Sequence, residues 1–257
     1  MNKSNPILYN KFSKYYDIIY SKKKYYDEVL FINYLVKKNF LNNKKFSLLE
    51  FASGTGSHSV YFINLGYKVI GVDISKDMVK LASNKCPEAK YICHDMINFT
   101  SNNNFDVITL LFTSINYCIT KKQLVVLFKN VFQLLKEKGV FIFDLGLTHI
   151  YRKSGSDIFM ENYISKDLDI ARISQWKPIT LNRSKFEVTY TTIIKNKKGI
   201  IDFASDKHLL GAYSVTYISN LLKEIGFREV NLFDGFTKNI KGINDNFKKT
   251  PVFQVIK

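Results

Sequence analysis

The sequence predicts an α/β protein built on a doubly wound, seven-stranded, mostly parallel sheet with a small antiparallel β insertion. Three observations carry this prediction. From residue 46 onward, short apolar segments of strand length alternate with amphipathic segments of helical length, the pattern of a parallel sheet covered on both faces by helices. The first strand leads through the turn Gly54-Thr55-Gly56 directly into a helix. A later stretch is alternating and β-branched, as half-buried antiparallel strands are.

The elements follow in order along the chain. Up to about Lys45, apolar residues recur at helical spacing, so this segment is predicted to be helical. The helix after the first strand ends at Gly66, and Ser75 caps the next one. A further helix covers residues 123–135, and Gly226 ends the last. The seven predicted strands are residues 46–51, 67–72, 90–93, 105–112, 139–143, 230–233 and 252–256.

The α/β pattern is interrupted between residues 148 and 213. Residues 186–193 alternate between polar and apolar side chains, and Lys197-Lys198-Gly199 predicts a hairpin turn after them. We therefore predict one domain made of residues 1–147 and 214–257, with residues 148–213 as a β-rich insertion. Residues 1–45 form a helical N-terminal cap on that domain.

The composition is that of a globular protein with one large core. The 257 residues are 46% hydrophobic and 23% charged, and no apolar run approaches the roughly 18 residues that a membrane span requires. The first residues lack the hydrophobic stretch of a signal peptide. The three cysteines, Cys86, Cys93 and Cys118, form no metal-ligand or redox pattern. We expect a cytoplasmic protein with free thiols, no membrane span and no bound metal.

The charge balance is strongly basic, with 38 Lys and Arg against 22 Asp and Glu and a net charge of +16. Such a balance indicates an anionic partner. Almost all the positive charge is lysine, however, whereas surfaces that read nucleic acid favour the planar fork of arginine. We therefore expect a small anionic molecule as the partner rather than nucleic acid, and a monomer or homodimer.

The turn after the first strand is the most informative local feature. Gly54 and Gly56 let the backbone bend sharply and approach a ligand where a Cβ would collide. Asp73 follows about 20 residues later at the end of the second strand, where an acid binds ribose hydroxyls. These residues predict a site for an adenosine-containing cofactor.

Further residues make the pattern specific. Residues 50–56, Glu50-Phe51-Ala52-Ser53-Gly54-Thr55-Gly56, resemble the first motif of the class I S-adenosylmethionine-dependent methyltransferases, with Ala52 where that family usually has glycine. Residues 66–78, from Gly66 through Asp73, Ile74 and Met78, are similar to the second motif. His94-Asp95-Met96 resembles the third, whose acid meets the adenine amino group, and residues 105–108 resemble the fourth-strand motif. The resemblance implies a Rossmann-like methyltransferase fold and S-adenosyl-L-methionine as the cofactor.

Within that family, the chain looks closest to enzymes that dimethylate nucleotide-linked amino sugars. The similarity lies in residues 16–20, residues 111–117 and residues 205–209. It implies that Tyr26 holds the cofactor's carboxylate, that Tyr20 lines the acceptor pocket and that the insertion lies on the acceptor side. The residues expected to bind the cofactor are Tyr16, Tyr26, Glu50, Ala52, Gly54, Gly56, Asp73, Ile74, Met78, Asp95, Met96 and Leu111.

An amine or hydroxyl acceptor must lose a proton during methylation, which calls for a general base. The candidates are Tyr20, His208 and Tyr117. We expect a small anionic acceptor, such as a phosphorylated or nucleotide-linked sugar that is methylated on its amino group. The alternative is O-methylation of a capsule or surface-glycan precursor, or methylation of its phosphorus substituent.

Three other functions fit the sequence less well. An RNA methyltransferase would explain the basic charge, but the chain has no appended RNA-binding module. A dinucleotide-dependent oxidoreductase would use the same glycine turn, but Ser59 replaces the third glycine of its fingerprint. A protein that binds the cofactor without catalysis is the third alternative.

Overall fold

The computed structural model describes residues 6–40, 45–146, 157–181 and 184–257. Two short 3₁₀ helices, Ile7–Tyr9 and Ser114–Tyr117, accompany the longer elements. The helices are α1 Ser13–Ile19, α2 Tyr25–Asn39, α3 Ser57–Asn64, α4 Lys76–Lys85, α5 Lys121–Leu134 and α6 Val215–Ile225. The strands are β1 Ser47–Phe51, β2 Lys68–Asp73, β3 Lys90–Cys93, β4 Phe105–Leu110, β5 Leu135–Asp144, β6 Asp157–Ile164, β7 Asp169–Pro178, β8 Lys185–Asn196, β9 Gly199–Gly211, β10 Glu229–Asp234, β11 Ile240–Lys241 and β12 Pro251–Ile256.

The main sheet has the strand order β11-β10-β12-β5-β4-β1-β2-β3. The five strands β1 to β5 pair in parallel, and β12 runs antiparallel between β5 and β10. This confirms the predicted doubly wound, mostly parallel sheet. The difference from the seven predicted strands is β11, a two-residue edge strand paired with β10. From β1 the strand order runs to β2 and β3 on one side and to β4 and β5 on the other, so the gap between β1 and β4 is the switch point beyond which ligands bind in open α/β sheets.

The predicted helix boundaries rest on local hydrogen bonds. The Ser75 hydroxyl accepts the Met78 N–H at 3.2 Å and caps α4. Thr120 and Gln123 form a reciprocal capping box at the start of α5. At the C-terminal end of α6, Gly226 takes the left-handed conformation with φ of 116°, where glycine avoids the steric cost of a side chain. These side chains and turns satisfy backbone groups that each helix leaves unpaired.

Four predicted boundaries in the segment from β4 to β5 are wrong. The strand predicted over residues 105–112 stops at Leu110, because Phe112 and Thr113 both take positive φ angles of 60° and 57°. Those angles cannot continue an extended strand. The helix predicted over residues 123–135 begins earlier and ends at Leu134, and β5 starts at Leu135, well before the predicted residue 139.

A second sheet, in the order β6-β7-β8-β9, is antiparallel throughout. It confirms the predicted β-rich segment and the hairpin turn at Lys197-Lys198, between β8 and β9. The first predicted residues of the insertion, 148–156, lie outside the described residues. The division into a domain and an insertion stays a prediction.

The N-terminal segment and the second sheet share a small apolar core. Leu8, Phe12 and Ile19 from the N-terminal segment are buried against Ile170 and Ile194 from β7 and β8. Asn116 in the second 3₁₀ helix ties the two sheets together. Its amide donates to the Gly211 carbonyl at the end of β9 at 2.9 Å, and its side-chain oxygen accepts the Gly146 N–H beyond β5 at 2.9 Å.

The main sheet is covered on both faces by larger apolar clusters, and all six residues of β4, at its centre, are buried. No helix in the described parts of the chain is both long enough and apolar enough to cross a bilayer.

Asp144, at the end of β5, fixes the strained turn after β4. It is 4% exposed, and its carboxylate accepts the Thr113 N–H at 3.0 and 3.1 Å. Burial raises the pKa of Asp144 to about 7, although this hydrogen bond acts in the opposite direction. The folded protein therefore keeps a proton that the unfolded chain loses near its ordinary carboxyl pKa.

We predict that Asp144→Asn flattens the pH dependence of stability. In the wild type, the free energy of unfolding should fall as the pH rises from about 4 to about 7, because unfolding releases the Asp144 proton. Removing the group should reduce that slope by up to about 1.4 kcal/mol per pH unit. Urea titrations between pH 5 and 8 measure it, with Asp27→Asn, an exposed carboxylate on α2, as the control. A slope for Asp144→Asn equal to that of the wild type would contradict the prediction.

Candidate functional site

The turn that follows β1 is built from left-handed residues. Ala52, Gly54 and Gly56 have φ angles of 51°, 54° and 75°. A Cβ at Gly54 would meet no atom within 4 Å, whereas one at Gly56 would lie 2.7 Å from the Tyr91 hydroxyl oxygen and 3.1 Å from the Ala82 Cβ. Gly56 is therefore required by close packing of the turn on its neighbours, and Gly54 leaves open space for a ligand.

Glu50, the last acid before this turn, is 2% exposed. The Ser59 hydroxyl donates a hydrogen bond to it, and His58 Nδ1 lies 3.7 Å from its other oxygen. Burial raises the pKa of Glu50 to about 7. The other ring nitrogen of His58 lies 2.8 Å from Glu28, which also pairs with Lys23. The structure thus places a row of titratable groups, from Glu50 through His58 and Glu28 to Lys23, next to the turn.

Asp73 lies at the tip of β2, next to the turn. Its two carboxylate oxygens accept the Gly54 N–H and the Ser75 N–H, each at 2.9 Å. Burial raises its pKa, and these backbone hydrogen bonds oppose the shift. Each carboxylate oxygen has a further lone pair, so Asp73 keeps the capacity to accept ribose hydroxyl groups.

The remaining predicted cofactor residues line the same edge of the sheet. Ile74 is 48% exposed beyond the tip of β2, and Met78 is buried in the first turn of α4. Asp95 follows β3 and accepts the Ile97 N–H at 2.9 Å, with Met96 partly buried beside it. Leu111 is buried just after β4. The sequence therefore placed these residues at the carboxyl edge correctly, while their contacts with a cofactor stay a prediction.

The N-terminal tyrosines fall into two groups. Burial raises the pKa of Tyr16 well above its ordinary value, and the neighbouring tyrosines and then Asp73 raise it further. The Tyr16 ring also packs against Tyr20, with ring centroids 4.6 Å apart. Tyr26 is 51% exposed and packs on Tyr61, outside this group. Its neighbour Tyr25 has a buried hydroxyl with no hydrogen-bond partner among the described residues, and its ring lies 4.8 Å from that of His58.

Two of the three candidate bases are in direct contact. The Tyr117 hydroxyl lies 2.6 Å from His208 Nδ1, and Asp206 Oδ2 lies 3.3 Å from His208 Nε2. Tyr9 extends this row, since its hydroxyl is 2.6 Å from that of Tyr117. We call Tyr9, Tyr117, His208 and Asp206 the tyrosine–histidine row. His208 Nε2 has no hydrogen-bond partner in the described structure, but the nearby Asp206 carboxylate favours a proton on it electrostatically, and in that tautomer Nδ1 accepts the hydrogen bond of the Tyr117 hydroxyl.

Tyr20, the third candidate, has a different partner. Arg172 donates from Nη1 to the Tyr20 hydroxyl oxygen at 2.7 Å. The Tyr20 ring packs edge-on against that of Phe112, with centroids 4.9 Å apart. Because the oxygen already accepts a hydrogen bond from a cation, Tyr20 is better suited to donate a hydrogen bond than to take up a proton.

Sequence reasoning missed Tyr9, Asp206 and Arg172. The N-terminal segment places Tyr9 near Asp206, because the N–H of the preceding residue, Leu8, donates to the Asp206 carboxylate at 3.0 Å. Two signals were available in the sequence. Asp206 stands two residues before His208, so both side chains lie on one face of a strand, and Arg172 is one of few arginines in a lysine-rich chain.

The residues at this edge fit an adenosyl cofactor. The open space at Gly54, the acid at the tip of β2 and the Ser53 hydroxyl, which is buried without a hydrogen-bond partner in the described structure, all lie around one turn. Within the described residues, no group of three or more His, Cys, Asp or Glu side chains is arranged to hold a metal ion.

Comparison with known proteins identifies the domain. Residues 48–139, which include the turn, β2, β3 and β4, match the family described as the methyltransferase domain. The doubly wound sheet with a glycine turn after β1 and acids beyond β2 and β3 is the methyltransferase fold. The protein is an S-adenosylmethionine-dependent methyltransferase.

Three similar proteins cover most of the chain. A protein of Geobacillus sp. (strain WCH70), named provisionally as a methyltransferase, is 26% identical over 89% of this chain and 92% of its own. The dTDP-3-amino-3,4,6-trideoxy-alpha-D-glucopyranose N,N-dimethyltransferase of Streptomyces venezuelae is 27% identical over 64% of this chain and 68% of its own. The crystal structure of a S-adenosylmethionine-dependent methyltransferase from Clostridium acetobutylicum shares the fold, with a TM-score of 0.80 at 24% identity over 96% and 97% of the two chains.

We predict that Ala52→Gly stabilises the protein. Glycine removes a left-handed cost of about 1–2 kcal/mol at φ of 51°, and the greater freedom of the unfolded chain offsets about 0.4–1 kcal/mol of that gain. The control is Ala82→Gly, a buried position within helix α4, where glycine should cost about 1 kcal/mol. Urea unfolding measures both. A loss of stability at Ala52 similar to that at Ala82 would show that the turn is not strained.

Proposed function

We propose that this enzyme methylates the amino group of a small, anionic, nucleotide-linked sugar. S-Adenosylmethionine, when bound, supplies a methyl group that its positively charged sulfur has already activated. The observation that carries the proposal is the tyrosine–histidine row, which provides a path for the proton that an amine must lose. The row lies beside the cofactor residues, because the rings of Tyr9 and Tyr16 are 6.3 Å apart.

The cofactor residues have separate roles in this proposal. Asp73 accepts the ribose hydroxyls, and Asp95 accepts the adenine amino group. Ala52 and Gly54 let the backbone approach the cofactor. We assign the carboxylate of the cofactor to Tyr25 in place of Tyr26, because the Tyr25 hydroxyl is buried and unpaired among the described residues, whereas Tyr26 packs on the outer side of the helix against Tyr61.

The tyrosine–histidine row takes up the acceptor's proton. Burial raises the pKa of Tyr117 well above its ordinary value, so its hydroxyl stays neutral and acts as a relay rather than as a free base. His208 accepts the proton that Tyr117 passes on. Asp206 stabilises the resulting positive charge, and the pKa of Asp206 is lowered by His208 and the Leu8 N–H, against the effect of burial. Asp206 therefore remains ionised as His208 becomes charged.

The relatives support the acceptor class. The Streptomyces venezuelae relative is named for N,N-dimethylation of a dTDP-linked amino sugar, and a Streptomyces fradiae protein with 30% identity over 42% of this chain is named for a similar substrate. The same row would also serve a hydroxyl acceptor. A screen with isotope-labelled methyl donor should therefore contain nucleotide-linked amino sugars and surface-glycan precursors, with products read by mass spectrometry.

We predict that S-adenosylmethionine raises the melting temperature by several degrees and that NAD does not. A ligand at about 100 times its Kd stabilises the native state by about 2.7 kcal/mol, or roughly 5–10 °C at this size. Asp73→Asn should weaken binding at least about tenfold, because the amide loses one acceptor oxygen. Asp167→Asn, an exposed position between β6 and β7, is the control. Equal shifts with S-adenosylmethionine and NAD would defeat the cofactor assignment.

We predict that Tyr117→Phe and His208→Gln lower kcat by about 10²–10⁴, the usual contribution of general acid–base catalysis. Binding of S-adenosylmethionine should change little in either variant. Tyr217→Phe, on helix α6 outside the row, should keep wild-type turnover. The measurement is steady-state methylation of the acceptor found in the screen, with cofactor binding by calorimetry. Full turnover in both variants would remove the row from the mechanism.

A further inference from the structure

Arg172 is a buried cation with no anionic partner among the residues that the structure describes. It projects from β7 and is 3% exposed. Its Nη1 donates to Tyr20, and its guanidinium carbon lies 3.9 Å from the centre of the Tyr190 ring. Its Nε has no hydrogen-bond partner in the described structure. No carboxylate among the described residues lies within the 4 Å of an ion pair, although Glu161 stands opposite on β6.

Such an arrangement is unfavourable for the protein alone. A guanidinium stays protonated at every physiological pH, so burial cannot be relieved by loss of a proton. The ring of Tyr190 and the hydroxyl of Tyr20 compensate the charge only in part, since neither carries a negative charge at neutral pH. Buried charges are normally paired or hydrogen-bonded throughout. The unfilled donor on Arg172 therefore points to an anion that comes from outside the chain.

The position of Arg172 shows which ligand would carry that anion. The Tyr190 ring packs against the Arg172 guanidinium. The centroid of the same ring lies 4.8 Å from that of the His208 ring. Tyr20, the hydrogen-bond partner of Arg172, packs against Tyr16 beside the cofactor site. Arg172 thus stands between the cofactor residues and the tyrosine–histidine row, where the reacting end of the acceptor must lie.

We propose that Arg172 binds an oxyanion of the acceptor, a carboxylate or a phosphate, close to the atom that is methylated. This inference rests on the proposed methylation of a small acceptor and adds which of its groups is recognised. The edge formed by Nε and Nη2 has no hydrogen bond to any described residue. That edge presents two parallel N–H donors, the geometry that grips two oxygens of one anion.

The first test needs no knowledge of the acceptor. Inorganic phosphate and acetate, each compared with chloride at equal ionic strength, are titrated into the wild type, Arg172→Met and Arg172→Lys while the melting temperature is recorded. We expect at least one anion to stabilise the wild type and to have at most half that effect on Arg172→Met. Which anion acts distinguishes a phosphate from a carboxylate. Arg228→Gln, an exposed arginine near Glu137, should respond as the wild type does.

The melting temperatures without added anion give a second readout. Because methionine replaces an unpaired buried charge with an apolar chain of similar length, Arg172→Met should melt at or above the wild-type temperature. A purely structural arginine would give the opposite result. A melting temperature several degrees lower for Arg172→Met, together with no anion effect on the wild type, would overturn the inference.

The third readout separates the acceptor from the cofactor. The Kd of S-adenosylmethionine should stay within about twofold in Arg172→Met, whereas the KM of an anionic acceptor from the screen should rise at least about tenfold. A loss of cofactor affinity instead would assign the anion to the cofactor's own carboxylate and overturn the inference. If the wild type itself fails to bind S-adenosylmethionine, the proposed function fails; intact cofactor binding with no anion effect defeats only the role of Arg172.

Discussion

The hydrogen bonds of the Asp73 carboxylate hold the site together. One oxygen accepts the Gly54 N–H from the turn after β1, and the other accepts the Ser75 N–H at the start of α4. The Ser75 hydroxyl in turn caps α4 and donates to the Tyr9 carbonyl oxygen. The Tyr9 hydroxyl then reaches Tyr117. One continuous series of contacts therefore connects the cofactor turn with the tyrosine–histidine row, so each half of the site positions the other.

The carboxyl edge of the sheet concentrates unfavourable features that the rest of the fold compensates. Ala52, Phe112 and Thr113 have left-handed backbone angles without being glycine, and Glu50 and Asp144 are carboxyl groups whose pKa is raised to about 7 by burial. Strained backbone and buried acids persist only where surrounding structure determines them strongly. Here the buried strands β1, β4 and β5 supply much of that support, and the strained residues follow the carboxyl ends of β1 and β4.

The features that could be predicted from the sequence are those that local sequence patterns determine. Strand and helix periodicity, Gly54, Gly56 and the cap residue Ser75 each act within a few residues of their own position, so the sheet and the turn followed from the sequence. The end of β4 did not, because the left-handed pair after it contains no glycine and depends on Asp144, some 30 residues away. Tyr25 and Tyr26 are adjacent, and only the packing of α2 on α3 decides which of them turns inward.

Contacts between residues far apart in the sequence could not be predicted, because they depend on the fold and not on local patterns. Arg172 meets Tyr20 across 152 positions, and Leu8 meets Asp206 across 198. Periodicity carries no information on such pairs. Tyr9, Asp206 and Arg172, which we propose for the acceptor side, all belong to contacts of this kind, whereas most of the proposed cofactor residues come from consecutive strand ends. The proposed cofactor residues were thus visible in the sequence, and the proposed acceptor residues required the fold.

The distribution of positive charge separates two physical roles. The net charge of +16 comes almost entirely from lysine, and exposed charges act through a field that salt screens within about 8–10 Å. Such a field attracts anions to the surface without distinguishing among them. Arg172 differs because it is buried beside Tyr20 and Tyr190, where solvent screening is weak and the direction of each N–H is fixed. In our proposal, the lysines raise the local concentration of an anionic acceptor, while selection among acceptors depends on whether an oxyanion reaches the Arg172 guanidinium.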